Sequence, residues 1–95
     1  DEKAARMLRQ RWLMSDWIAA DAGGEDTSGE RAQALAHRQV DWLGGVPGVP
    51  AVSKEYVTGL GDMYVADERF AANYGGVKGA TFVRDAMRVY AEANL

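Results

Sequence analysis

Apolar positions recur at helical spacing along almost the whole chain, and no stretch alternates with the two-residue period of a half-buried strand. Residues 21–26, residues 44–50 and the pair Gly75-Gly76 interrupt the pattern with Gly and Pro and read as loops. In the first segment Lys3, Arg6, Gln10 and Asp16 share a polar face, and Ala5, Leu8, Trp12 and Ala19 share another. From Trp12 to Ala20 the apolar arc runs almost full circle, broken only by Ser15 and Asp16, as in a helix that is buried or faces a second partner. Thr27-Ser28-Gly29-Glu30 reads as a capping box, with Thr27 bonded to an amide of the first turn and Glu30 reaching back. Behind it Ala32, Leu35, Ala36, Val40 and Leu43 fall at core spacing, and Glu30, Gln33, His37 and Asp41 face water.

Ser53 is placed to cap a third helix whose apolar stripe is Tyr56, Val57, Leu60, Met63 and Tyr64. Asp67 is placed to cap a short fourth helix that ends at Gly75, a C′ glycine. A fifth helix runs from about Val77 to the end. Its polar stripe is Thr81, Arg84, Asp85, Arg88 and Glu92, and Phe82, Val83, Ala86, Met87, Val89 and Tyr90 cover both flanks. The expected fold is all-α with about five helices, and Leu60, Met63 and Phe70 are expected to be buried where the third and fourth helices meet the fifth.

Length and composition narrow the function. Ninety-five residues make one small domain, here taken as residues 1–95, with a thin core. Apolar residues make up 47% of the chain, which excludes disorder, but sixteen of them are alanine. Space-filling therefore falls to Trp, Tyr, Phe, Met and a few Leu and Val. No apolar run is long enough for a transmembrane helix, and Asp1-Glu2-Lys3 opens no signal peptide, so no membrane role and a cytoplasmic location are expected. The absence of cysteine removes disulfides, thiolate zinc sites and cysteine nucleophiles. The net charge is −3 with no Lys/Arg stripe, so direct nucleic-acid binding by this chain is not expected.

Candidate chemistry is sparse. The single histidine, His37, reads as a solvated residue on a polar face, and a two-His metal site is impossible. Asp62, Asp67 and Glu68 cluster near a helix junction, but capping accounts for Asp67 and Asp62 lies on the polar face. The acidic loop Asp21 to Glu30 lacks the ligand order of a calcium loop, and Gly44-Gly45 follows no strand and is no phosphate cradle. No enzyme activity, catalytic residue, metal or cofactor is expected. What remains is a surplus of aromatic and sulfur side chains, divided between core and cleft. Gly59 and Gly61 inside the third helix mark either close approach of a backbone or ligand, or local mobility.

The stretch Leu60-Gly61-Asp62-Met63-Tyr64-Val65-Ala66-Asp67-Glu68-Arg69-Phe70-Ala71-Ala72-Asn73-Tyr74, followed by Phe82-Val83-Arg84-Asp85-Ala86-Met87, resembles the TipAS antibiotic-recognition domain. Upstream, Ala32-Gln33-Ala34-Leu35-Ala36-His37 is similar to a further family segment, and the likeness spans about residues 3–94. The resemblance implies a globin-like all-α domain that holds thiopeptides or other bulky apolar antibiotics in a cleft. In this family such a domain is the C-terminal effector module of TipA-type MerR-family transcriptional regulators, or a free-standing protein that sequesters the drug. It implies that DNA is reached through a separate N-terminal helix-turn-helix, absent here, and it leaves room for a homodimer of a full-length protein. Thiols that capture the drug covalently in the family match Val52 and Gly59 here, so binding is expected to be non-covalent.

The expected cleft is bounded by the first helix, the loop Gly44–Pro50, the third helix and part of the fifth. The ligand-binding residues are taken as Trp12, Met14, Trp42, Tyr56, Tyr64 and Phe82, because a thin core cannot readily bury all these rings and aromatic faces around a gap accept flat heterocycles.

Overall fold

The computed structural model describes residues 1–45 and 52–95. The expected loop from Gly44 to Pro50 therefore falls largely outside the described residues. Five α-helices follow in chain order: α1 (Glu2–Ala22), α2 (Glu30–Gly44), α3 (Lys54–Ala66), α4 (Glu68–Ala71) and α5 (Val77–Asn94), with a 3₁₀ turn over Ala72–Tyr74. Among the described residues there is no strand, as the helical periodicity requires.

The helix ends follow from local chemistry. Asp1 accepts from the Ala4 amide at 2.8 Å and starts α1. Ser53 caps α3 through the Tyr56 amide at 3.1 Å. Asp67 caps α4 through the amides of Arg69 and Phe70, at 2.9 and 3.4 Å. Gly75 takes the left-handed conformation with φ of 86°, and Gly76 follows at 111°, a reversal that side-chain-bearing residues rarely make. The capping box at 27–30 does not form. Asp26 Oδ1 accepts from both the amide and the hydroxyl of Ser28 at 2.9 Å, which closes a local turn and leaves Gly29 as a cap without a side chain.

The core lies around α5, which α3 packs along most extensively and which α1 and α2 also meet. Trp17, Val57, Val83 and Met87 are its largest fully buried side chains, and the expected stripe of α2 is buried throughout. Gly61 marks a close approach, because a Cβ there would sit 3.3 Å from the Cα of Arg84, whereas Gly59 faces open space. Two expectations are corrected. Leu60 and Phe70 are only half-buried and Met63 is exposed, since Val57, Gly61 and Tyr64 form the line of α3 that meets α5. In α1 the inward line is Leu13, Trp17 and Ala20, continued toward the N-terminus by Arg6 and Gln10. Leu8 and Trp12, expected on an apolar face, are 46% and 60% exposed. Trp12 lies about 140° around the helix from Trp17, and the helix cannot bury both rings against one core.

Candidate ligand-binding groove

The inward register of α1 brings a basic residue onto an aromatic one. The Arg6 guanidinium lies over the Trp42 ring with its carbon 4.7 Å from the ring centre. Arg6 Nη2 donates to the Trp42 carbonyl at 3.1 Å, and Trp42 Nε1 donates back to the Arg6 carbonyl at 3.2 Å. This two-way clasp joins α1 to the C-terminal turn of α2 and holds the Trp42 ring half-exposed. Beside it runs a groove of about 270 Å³, lined by Arg6, Arg9, Trp12 and Leu13 of α1 and by Arg38, Asp41 and Trp42 of α2. Arg38 Nη1 is tied to Asp16 at 2.8 Å, and His37 Nε2 lies 3.3 Å from Asp41. The walls thus combine two indoles, an aliphatic floor and several charged groups, the mixture that small-molecule sites use for area and orientation.

Of the six residues assigned to a cleft from sequence, Trp12 and Trp42 come together on this groove. Met14 and Tyr56 are half-buried against the core and do not line it. Tyr64 and Phe82 are core residues. Phe82 meets Trp17 edge-on at 6.0 Å, and Tyr64 stacks on Phe70 at 4.7 Å and tilts against Tyr74 at 5.3 Å. The charged lining residues Arg6, Arg9, Arg38 and Asp41 were not singled out from sequence, although Arg6, Arg9 and Leu13 share one helical face and Arg38 and Trp42 are spaced i,i+4. His37 is exposed but not merely solvated: Nδ1 lies 2.8 Å from the Tyr90 hydroxyl, linking α2 to α5.

The core carries a buried polar hub. Gln39 accepts from Trp17 Nε1 at 3.2 Å and donates to the hydroxyls of Tyr64 at 3.1 Å and Tyr74 at 3.2 Å. Burial pushes the ionisation of both tyrosines upward, with bonding to Gln39 opposing it in part. Their folded pKa values exceed the ordinary value of 10.0, so both remain neutral in the native state while the unfolded chain ionises. Stability is therefore full below about pH 10 and falls as pH rises through that value, by up to about 1.4 kcal/mol per pH unit for each tyrosine. Urea unfolding from pH 8 to 11 should show this loss, and Tyr64→Phe should flatten its slope. An unchanged slope in that variant would show that Tyr64 is not held neutral by the fold.

A family model described as the TipAS antibiotic-recognition domain matches residues 1–90 of the chain. Neither a curated protein nor a solved structure matches it. Among the described residues no helix is long and apolar enough to cross a membrane, and no group of acidic or histidine side chains is arranged to hold a metal.

Proposed function

Because the chain belongs to the TipAS antibiotic-recognition domain family, we propose that residues 1–95 form the ligand-sensing effector domain of a cytoplasmic MerR-type transcriptional regulator. In this reading the domain holds bulky, largely apolar antibiotics such as thiopeptides without a covalent bond, since the sequence contains no thiol. Promoter contact then falls to a separate DNA-binding domain, consistent with the net charge of −3.

The observation that carries the proposal is the pair Trp12 and Trp42, on two neighbouring helices and lining one groove. An indole that is 60% exposed adds little to a core, yet it offers a large, rigid apolar face to a ligand. At about 270 Å³ the groove lies just below the roughly 300–1,000 Å³ range of ligand sites. It therefore suits a heteroaromatic segment of an antibiotic, with the remainder lying across the surface.

The test is a thermal-shift titration with a panel of thiopeptides and other natural-product antibiotics. A ligand at 100 times its dissociation constant should add about 2.7 kcal/mol of stability. Trp12→Ala should change stability by less than about 0.5 kcal/mol and weaken the same ligand by at least about tenfold. Undiminished affinity in this folded variant would remove the groove from the proposal.

A further inference from the structure

The charges around the groove are not evenly distributed. On the α2 wall one Arg and one Asp stand together, and each has a partner, Arg38 in Asp16 and Asp41 in His37. The α1 wall carries Arg6 and Arg9 with no carboxylate between them. Arg6 is stacked on Trp42 and bonded to a backbone carbonyl, so its orientation is fixed, and among the described residues its guanidinium forms no ion pair. Arg9 is exposed, and among the described residues its guanidinium makes no ion pair or hydrogen bond. Residues 46–51, which follow the C-terminal end of α2, contain no acidic side chain that could serve either arginine.

Two like charges at i,i+3 on a helix face repel, and a bound anion would relieve that repulsion. A guanidinium held over an aromatic ring has already lost much of its side-chain freedom, so less is lost when it binds a carboxylate. This concentration of positive charge stands in a chain that is acidic as a whole. The two arginines share this groove with the rings of Trp12 and Trp42.

We infer that the occupant of this groove is an aromatic ligand bearing a carboxylate, with Arg9 and Arg6 taking the anionic group and Trp12 and Trp42 taking the ring. The inference rests on the reading that the groove is the ligand site, and it adds the charge of the ligand. Arg9 supplies the pairing and Arg6 the orientation, because Arg6 cannot leave Trp42 without breaking the clasp between α1 and α2.

The probes are 1-naphthoate and 1-naphthamide, which share a ring system and differ in charge. Their affinities are measured by amide and indole NMR shifts of the full chain in low salt. Naphthoate should bind at least tenfold more tightly than naphthamide, with shifts centred on Trp12, Trp42 and Arg9. Raising the salt concentration to 0.3 M should weaken naphthoate and leave naphthamide unchanged. In Arg9→Gln, whose side chain has no partner to lose, the preference should fall to less than threefold. Equal affinity of the two probes, a preference that survives Arg9→Gln, or no binding of either would overturn the inference. A thiopeptide that shifts the same resonances while the probes show no charge preference would leave the ligand-site reading standing and remove only the carboxylate.

Discussion

Gly79→Ala should destabilise the domain by about 3 kcal/mol or more, although alanine is the better helix former by about 1 kcal/mol. Gly79 lies in the first turn of α5, where a Cβ would be driven into the backbone carbonyl of Tyr74. Neither side can readily move. The Tyr74 hydroxyl is bonded to Gln39, its ring lies against Tyr64, and the chain after it reverses through the positive-φ pair Gly75 and Gly76. Such overpacking against rigid backbone belongs to the short set of causes that produce large single-residue effects. The internal control is Gly59→Ala, an exposed site in α3 with open space around the new methyl group, which should be neutral or raise stability by up to about 1 kcal/mol. Urea midpoints of the two variants should move in opposite directions. A wild-type midpoint for Gly79→Ala would mean that the 3₁₀ turn is not seated on the start of α5.

Gln39→Leu should cost about 3–5 kcal/mol, despite exchanging a polar side chain for an apolar one of similar size. Gln39 is 4% exposed, a buried polar residue among the apolar core positions of the described residues. Its loss strands the Trp17 indole N–H and weakens the bonding of two buried hydroxyls, each at about 1–3 kcal/mol. The added apolar burial of leucine, about 1–2 kcal/mol, offsets only part of this. Against a total stability of roughly 5–15 kcal/mol for a domain, the variant should be close to unfolding at 37 °C. Chemical denaturation checks the magnitude, and a variant as stable as the parent would show that the hub can be replaced by packing alone.

Much of the helical scaffold was legible because capping residues and period act locally. Ser53, Asp67 and Gly75 perform at their helix ends what their chemistry suggests. The capping box failed because Asp26 closes a turn onto Ser28 and Gly29, so that the helix opens behind Gly29 and Thr27 is left outside its first turn. The facing of α1 was harder to read. Its apolar residues nearly encircle the helix, so periodicity alone does not choose which side turns inward. The choice is made by long-range partners: Gln39 for the Trp17 indole, Trp42 for Arg6. Those partners put the apparently polar Arg6–Gln10 line inside and Trp12 outside. For the same reason Trp12 and Trp42 reached a common groove while Tyr64 and Phe82 did not. Ring content marked all four, but only tertiary packing separates a ring that completes the core from one that is left over. Gln39 itself sits in register with Leu35, Ala36 and Leu43, and that register was the signal for a buried polar residue.

The central claim, that an antibiotic ligand docks between α1 and α2, is tested most directly by following the three indole N–H resonances during titration with a thiopeptide. Trp12 and Trp42 line the groove, and Trp17 is 1% exposed in the core. The expected result is a saturable shift of the Trp12 and Trp42 signals with the Trp17 signal nearly still. A bound state in which Trp17 moves while Trp12 and Trp42 keep their free positions would contradict the assignment and place the ligand inside the core instead.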